Sequence, residues 1–447
     1  MKWIALLWLI GATVRAASPT PGPASLDDLL DPAGALWQQD SRAFMAGHGN
    51  LGFRWVSGTH DTARAQRLMF HSLPVFETLA RFDHDTLTEL TLSLYNRGDA
   101  GQLSEAEFQQ FMAEADEKLT GWTGAKGTAF KTQERTATAT VHRKAWVREP
   151  YRVDLISSYT EKSRTQGILA VLPEYARLQI VKFDPQQDPR KSTLGGNNSP
   201  PKSISALELR QRVRRQPNGD VAIPSVPMVD QGEKGYCAAA VCERVLRYYG
   251  RNLDQHEIAQ LARTSAGGGT SPEQMVAALR RISDETHMDV TALHDFTAHE
   301  FEQIVAEYNH AAKKAHQPEV EARHRQGNTI FLESPTTVYH TMHPDLLKEV
   351  RVKHDGPLAE FKSTVIRSIN NGVPLTWGCV VGVVKEIPEM RGFGGHMRLI
   401  IGYNDRTQEI LYTDTWGAGH ELKRLGLADA WTITIGLYCL QPRDVHI

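Results

Sequence analysis

Two kinds of hydrophobic pattern divide the first part of the chain. Before residue 120, SLPVFETLARF and SEAEFQQFMAEADEKL carry Leu, Phe and Glu in patterns that favour helices, and LTELTLSLY between them favours a strand. From 131 to 183, TATATVHRKAWV, YRVDLISSY and YARLQIVKF alternate polar with β-branched or aromatic residues, which is typical of a small antiparallel sheet. We therefore predict a mixed helical and β-rich (α+β) domain over residues 26–183.

Residues 184–203 interrupt these patterns. The segment DPQQDPRKSTLGGNNSPPKS is rich in Pro, Gly, Asn and Ser, a composition typical of a linker between domains. A second domain is predicted over residues 204–447, and the length of 447 residues fits two or three domains. Within it, LELRQRVRR (207–215) predicts a short basic helix, and the charged, His-rich residues 303–326 predict a surface helix and loop.

The first 17 residues have the layout of a secretory signal peptide. Lys2 is followed by an apolar run from Trp3 to Val14 and then by the small residues Ala16 and Ala17. This run is about half of the roughly 20 residues that a membrane-spanning helix needs, so no membrane span is predicted. We expect the signal peptide, residues 1–17, to be removed and the protein to be exported to a periplasmic or extracellular location.

Composition and charge narrow the classes of function. The chain contains 50 Lys and Arg against 52 Asp and Glu, and 41% of its residues are hydrophobic. These values exclude a wholly disordered chain and a strongly basic nucleic-acid-binding protein. Four cysteines in a chain of this length are too few for a disulfide scaffold, so each has to be interpreted by its own chemistry.

The stretch QGEKGYCAAAVCERVLRYYG, residues 231–250, carries the strongest chemical signal. Its apolar residues recur with helical spacing up to Gly250, where a helix is expected to stop, so a helix is predicted to begin at Cys237. A helix N-terminus with a neighbouring imidazolium lowers a thiol pKa from about 8.5 into the range of roughly 3.5–7.5. Cys237 is therefore the candidate nucleophile, and Cys242, on another side of the helix, is expected in the core.

A base for this thiol is predicted far downstream. MRLIIGY and EILYTDTW flank the turn-rich tetrapeptide Asn404-Asp405-Arg406-Thr407 and therefore predict a β-hairpin. His396 and Asp414 are each nine residues from Asp405, so they are predicted to lie opposite or nearly opposite each other on adjacent strands. At that distance a carboxylate can fix the tautomer and orientation of an imidazole.

Two further residues complete the candidate site. Gly395, directly before His396, leaves room for a substrate at the edge of a cleft. Gln231 lies six residues before Cys237, and its side-chain amide can join the Cys237 backbone N–H in binding an oxyanion. Such a donor is typically worth about 10²- to 10³-fold in rate.

This ordered set resembles the papain-like cysteine peptidase superfamily over residues 221–445. The order Gln, Cys, His, Asp, with VPMVDQGEKGYCAAA and HMRLIIGYN, is closest to the bacteriocin-leader-peptidase-like (double-glycine leader peptidase-like) branch. The resemblance implies a papain-like domain, in which a catalytic helix packs on an antiparallel sheet. The run Asp414-Thr415-Trp416-Gly417 is similar to Asn-Ser-Trp-Gly of papain. It implies that Trp416 packs over the His396–Asp414 pair.

The sequence thus predicts an exported thiol hydrolase that cleaves peptide bonds in a peptide or protein substrate. Cys237 is the nucleophile, His396 transfers the proton, Asp414 orients His396 and Gln231 binds the oxyanion. Two alternatives stay open: transglutaminase-like acyl transfer, and a catalytically inactive module that binds peptides. Residues 26–183 could inhibit the second domain, present its substrate or bind a surface partner.

No cofactor and no metal are predicted. His340 and His343 have a spacing that one metal could use, but no carboxylate or cysteine nearby completes a site, so both are expected to be surface histidines. Cys379 and Cys439 lie in apolar stretches and are expected in buried strands. Export would make a disulfide between them conceivable, and the sequence leaves that open.

Overall fold

The structure, a computed structural model, describes residues 24–445 with internal gaps. The gaps are residues 31–32, 131–132, 137–138, 164–168, 191–203, 233–234, 252, 263–273, 275, 278–279, 281–285, 328 and 388–391. The predicted signal peptide and most of the predicted linker lie outside the described residues.

The described residues form a mixture of helices and strands, consistent with the predicted α+β class. The α-helices are α1 (Ser41–Gly47), α2 (Arg97–Ala100), α3 (Glu105–Thr123), α4 (Ala206–Gln211), α5 (Cys237–Tyr248), α6 (Gln255–Leu261), α7 (Ala298–Lys314), α8 (Pro335–Thr341), α9 (Pro344–Val352), α10 (Asp355–Asn370) and α11 (Leu427–Ile433). Strands of the first sheet are β1 (Arg54–Trp55), β2 (Thr62–Phe70), β3 (Leu73–Asp83), β4 (Thr86–Asn96), β5 (Thr128–Ala129), β6 (Gln133–Thr136), β7 (Ala139–Arg148), β8 (Tyr151–Ser163) and β9 (Leu169–Lys182). The remaining strands are β10 (Arg214–Arg215), β11 (Asp220–Ala222), β12 (Met288–Asp295), β13 (Arg323–Gln326), β14 (Thr329–Leu332), β15 (Leu375–Val381), β16 (Gly394–Asn404), β17 (Glu409–Thr413), β18 (Lys423–Gly426) and β19 (Thr434–Pro442).

The first half of the chain builds one antiparallel sheet rather than a helical part and a small sheet. Its strands run in the order β1-β2-β3-β4-β9-β8-β7-β5, with β6 paired to β7. β4 pairs with β9 along its length, and this pairing joins the early strands to those of residues 139–182. Helix α3, which was predicted, begins at a capping box between Ser104 and Glu107.

The helix predicted for SLPVFETLARF is wrong, because this segment forms β3. Its buried positions alternate along most of the strand, as in a sheet with one covered face. Two-residue turns at His71-Ser72 and His84-Asp85 join β3 to its neighbours, and all four residues have positive φ. Because these turns contain no glycine, they lack the usual sequence signal of a hairpin.

The second half builds an eight-stranded antiparallel sheet in the order β10-β11-β16-β15-β19-β12, extended by β17 and β18. Helix α5 contacts β16 of this sheet. Every residue of α5 from Ala238 to Leu246 is buried, so this helix lies within the core. It begins at Cys237 as predicted, and Gly250 just after it has a φ of 72°.

Two expectations for this half need correction. The helix expected over 207–215 ends at Gln211, because Arg214–Arg215 pair with β11 as a short edge strand. The helix expected at the surface over part of 303–326 is α7, and one of its faces packs into the core through Phe301, Ile304 and Tyr308.

Separate hydrophobic cores underlie the two sheets. One core collects residues between Leu26 and Ile180, and the other collects residues between Ile204 and Val445. Hydrogen bonds and ion pairs connect the two parts, among them Arg177 with Glu257 and Ser158 with Gln260. Among the helices of the described residues, none combines the length and apolarity needed to cross a bilayer.

Truncation of α5 tests how far the second core depends on this helix. Leu246→Ala removes a fully buried side chain, and we expect a loss of about 2–5 kcal/mol in the free energy of unfolding. Leu207→Ala on α4 is the matched control, because this leucine is 65% exposed and its loss should stay within about 0.5 kcal/mol. Urea unfolding measures both values, and equal losses in the two variants would contradict the central position of α5.

Candidate active site

Cys237 is the first residue of α5 and is partly buried. Burial by itself opposes the thiolate, but the hydrogen bond and positive charge of His396 and the backbone N–H groups of Met397 and Ala238 favour it. The net effect lowers the pKa of Cys237 below its ordinary value. The N-terminus of a helix adds a positive potential at the same place.

His396 lies on β16, where it pairs across the sheet with Cys379 of β15. Its ring is buried, and Nε2 is 2.6 Å from Oδ1 of Asp414. Burial opposes the imidazolium, but the charge and hydrogen bond of Asp414 and the interaction with Cys237 outweigh it and raise the pKa of His396 to about 9. The side chains of Cys237 and His396 are therefore arranged so that each favours the charged form of the other.

The structure brings Asp414 to His396 by a different register from the predicted one. The hairpin pairs Leu399 with Thr413 and contains an irregularity between Ile400 and Gly402. This pair is shifted by two residues from the predicted register, and Asp414 lies just beyond Thr413, the last residue of β17. The Asp414 carboxylate nevertheless reaches the His396 ring.

Asp414 is fully buried and meets three cationic side chains. Besides His396, Nε of Arg398 is 3.0 Å and Nζ of Lys423 is 3.9 Å from Oδ2 of Asp414. Burial alone would favour the neutral acid, but these charges and the hydrogen bond to His396 hold the pKa of Asp414 well below its usual range. The carboxylate is therefore ionised when it orients the imidazole.

Arg398 extends this network away from the thiol. Its Nη1 lies 3.0 Å from Oε2 of Glu386, and both side chains are completely buried. The hydroxyl of Tyr412 donates to the same carboxylate at 2.5 Å. Each of the two buried carboxylates thus has Arg398 as a cationic partner, which reduces the cost of burying charge.

Arg244 of α5 ties this helix to the end of β17 and to Asp414, the residue that follows it. Its Nη1 donates to the backbone carbonyl of Asp414 at 2.6 Å, and its Nη2 donates to the hydroxyl of Thr413 at 2.8 Å. Nε donates to the carbonyl of Pro227 at 2.7 Å. A single buried guanidinium thus fixes the position of Cys237's helix relative to Asp414.

Gln231 lies in the loop before α5 and contacts the residue after Asp414. Its backbone N–H donates to the carbonyl of Thr415 at 2.8 Å, and its Oε1 accepts from the Thr415 hydroxyl at 2.5 Å. The backbone N–H of Thr415 donates to Oδ1 of Asp414 at 2.9 Å, so the Gln231 loop and the carboxylate are held together.

Trp416 stacks on the imidazole of His396, with ring centroids 4.4 Å apart and planes inclined by 14°. Nζ of Lys423 lies 5.3 Å from the centre of the same indole. Gly395 is exposed, and a side chain there would meet the Thr336 hydroxyl at 3.3 Å. Glycine therefore leaves the surface beside His396 open.

The buried charges Arg398, Glu386 and Arg244 did not emerge from the sequence reasoning. Arg398 had a usable signal, because it is a lone cation in the apolar strand HMRLIIGY and shares a face with His396. Glu386 lies in the irregular connection after β15, where no periodicity indicates burial. Arg244 is a helical arginine that the sequence does not distinguish from a solvent-exposed one.

The three other cysteines, and the histidines considered as metal ligands, have their own burial and contacts. Cys242, Cys379 and Cys439 are buried free thiols, and burial raises the pKa values of Cys379 and Cys439 to about 12. His340 is half-buried rather than on the surface, with Nε2 at 2.9 Å from the Val381 carbonyl oxygen. Within the described residues, no three His, Cys, Asp or Glu side chains are grouped to hold a metal ion.

Comparison with known proteins gives no family assignment. No protein-family model matches the sequence, and no curated protein matches it significantly. The chemistry of the site is therefore inferred from distances, burial and charge.

Removal of Arg398 tests the buried network. Arg398→Met leaves Asp414 and Glu386 without a shared cation, and we expect a loss of about 3–5 kcal/mol in the free energy of unfolding. Adding Glu386→Gln to this variant should restore part of the loss, because the Glu386 side chain that loses its cationic partner is then neutral.

Lys348→Met is the control for this experiment. The Lys348 side chain is 41% exposed and forms an ion pair with Asp429. The expected loss for this variant is below about 1 kcal/mol. Urea unfolding of all three variants makes the comparison. Similar small losses for Lys348→Met and Arg398→Met would show that the buried arginine is not needed to compensate the carboxylates.

Proposed function

We propose that this chain is a thiol hydrolase that cleaves peptide bonds, with the papain-like, bacteriocin-leader-peptidase-like architecture that its sequence resembles. One observation carries the proposal: Cys237 at a helix N-terminus interacts with His396, and His396 in turn is 2.6 Å from the buried carboxylate of Asp414. Nucleophile, base and orienting group are thus in the order that thiol catalysis requires.

The proposed reaction begins with attack of the Cys237 thiolate on the carbonyl carbon of an amide. The tetrahedral oxyanion is bound by the Cys237 backbone N–H and the Gln231 side-chain amide. The His396 imidazolium protonates the leaving amine as the C–N bond breaks, leaving a thioester on Cys237. His396 then removes a proton from a water molecule as its oxygen attacks the thioester carbonyl. The C–S bond breaks, the carboxylic acid product departs, and the Cys237 thiolate and His396 imidazolium are restored.

Trp416 supports this proposal by covering one face of the imidazole. Exclusion of water from that face strengthens the His396–Asp414 interaction, because charges attract more strongly in a less polar environment.

The proposed substrate is a peptide or protein, and the proposed location is outside the cytoplasm, after removal of residues 1–17.

Alkylation with iodoacetamide at about pH 6 tests the activated thiol. We expect Cys237 to react at least about tenfold faster than an ordinary thiol, which is almost entirely protonated at this pH. His396→Ala should abolish the advantage. The three other cysteines are buried, and mass spectrometry of digested protein will assign each adduct. An ordinary rate at Cys237 that is unaffected by His396→Ala would rule out the ion pair.

The pH dependence follows from the two shifted groups. The reactive pair forms above the lowered pKa of Cys237 and is lost as the pH rises through the His396 pKa of about 9. We therefore expect kcat/KM for cleavage of a casein peptide to rise at acidic pH and to fall near pH 9, because the leaving amine takes its proton from the His396 imidazolium.

Asp414→Asn removes the negative charge that favours the imidazolium, so the alkaline limb should move to lower pH. Asp405→Asn is the matched control, because Asp405 lies in the exposed turn of the same hairpin and pairs with Lys362. An alkaline limb that stays in place in Asp414→Asn would contradict the assigned role of this carboxylate.

Products in H₂¹⁸O distinguish hydrolysis from the two alternatives. Cleavage of casein peptides with ¹⁸O in the new carboxylate supports the proposal. Incorporation of an added amine into glutamine side chains without cleavage would favour acyl transfer. Tight peptide binding that persists in Cys237→Ala, without turnover by the unmodified protein, would favour an inactive binding module.

A further inference from the structure

The loop of residues 230–236 connects the first half of the chain to the candidate active site. It carries Gln231 and leads directly into Cys237, so its position determines where the proposed oxyanion donor lies. Its described residues, 230–232 and 235–236, lie outside the helices and strands. Interactions at its two ends are therefore decisive for its geometry.

Arg64 of β2 holds the first end of the loop. Its Nη1 donates to Oδ2 of Asp230 at 2.7 Å, and its Nε donates to Oε1 of Glu77 on β3 at 2.6 Å. The other carboxylate oxygen of Asp230 accepts from the backbone N–H of Gly232 at 2.8 Å. A side chain at residue 232 would meet the Arg64 guanidinium at 2.6 Å, so the loop packs directly against this arginine.

Asn96, at the end of β4, holds the second end. The hydroxyl of Tyr236, the residue before Cys237, donates to Oδ1 of Asn96 at 2.9 Å. Nδ2 of Asn96 is 2.6 Å from Nδ1 of His256 on α6. Tyr236 and Asn96 are both buried, so water cannot easily replace this hydrogen bond, and its loss is costly.

Glu77 links the two ends. One of its oxygens accepts from Arg64, and the other is 4.0 Å from Nε2 of His256. The interactions therefore pass from Asp230 through Arg64, Glu77, His256 and Asn96 to Tyr236. Three of the four intermediate side chains belong to the first sheet, while both ends belong to the loop.

The first half also touches the loop that follows Asp414. The backbone N–H of Gly58 donates to Oε1 of Glu421 at 2.9 Å. Cys237 and His396, by contrast, interact with each other and with Met397, Ala238 and Asp414, all in the second half. The first sheet thus supports the loops around the reacting groups without contributing to the ion pair itself.

We propose that Arg64 and Asn96 are positioning residues, through which the first domain sets the oxyanion-binding geometry of the second. This inference rests on the proposed function and assigns residues 26–183 a role in intramolecular activation, which differs from the inhibition, substrate presentation and partner binding considered from the sequence. Displacement of a catalytic donor by about 1 Å can cost about 10²-fold in rate, so two anchored ends are sufficient to control activity.

Two reagents separate the oxyanion site from the ion pair. Iodoacetamide reacts by displacement of iodide and forms no oxyanion, whereas acylation by p-nitrophenyl acetate passes through a tetrahedral oxyanion and releases p-nitrophenolate. In the full chain, Arg64→Gln should slow acylation of Cys237 by about 10- to 100-fold and leave its alkylation rate within about twofold. Tyr236→Phe should reduce acylation selectively as well, and it removes only a hydroxyl group.

Arg177→Gln is the matched control. Arg177 also reaches from the first sheet to α6, where it pairs with Glu257 at 2.8 Å and with Asp254 just before the helix, rather than with the described loop residues 230–232 and 235–236. Both of its rates should stay within about twofold of the unmodified protein.

The outcomes distinguish this inference from the proposed function. An ordinary alkylation rate in the unmodified protein would refute the activated thiol itself. If that thiol is activated, the positioning role is overturned when neither Arg64→Gln nor Tyr236→Phe slows acylation. It is also overturned when both variants lose alkylation and acylation equally, or when Arg177→Gln matches their selective loss.

Discussion

The ionised, fully buried carboxylate of Asp414 is the constraint on which the rest of the site depends. A carboxylate without partners in the interior would cost several kcal/mol and would take up a proton. Here His396, Arg398 and Lys423 surround its oxygens, while Arg244 holds its backbone carbonyl. Arg398 and Lys423 therefore help to keep this carboxylate charged without being part of the Cys237–His396 pair.

This requirement explains why the core of the second half contains so much charge. Arg398 compensates Asp414 and is itself compensated by Glu386, which accepts the hydroxyl of Tyr412. The neighbouring opposite charge offsets the desolvation cost of each buried ion, so the side chains of the network depend on one another. The sheet supplies the rigidity, because Arg398 and His396 share one face of β16 and Tyr412 lies on β17.

Polar contacts, rather than a continuous apolar core, connect the two halves of the chain. Arg64 with Asp230, Asn96 with Tyr236 and Arg177 with Glu257 all cross it. Directional contacts of this kind fix orientation more strictly than apolar burial does. They suit a surface whose task is to hold a loop in place.

The sequence by itself determined the local chemistry. Helical spacing and Gly250 placed Cys237 at the start of a helix, and turn composition predicted the hairpin of β16 and β17, because such signals are carried by neighbouring residues. His396 lies on β16, and Asp414 directly follows β17. Only the tertiary structure decided the register of that hairpin, the β-structure of residues 73–83 and the burial of Arg244, Glu386 and Arg398. Those features depend on partners far away in the chain, and one residue's type does not specify which distant charge or strand will compensate it.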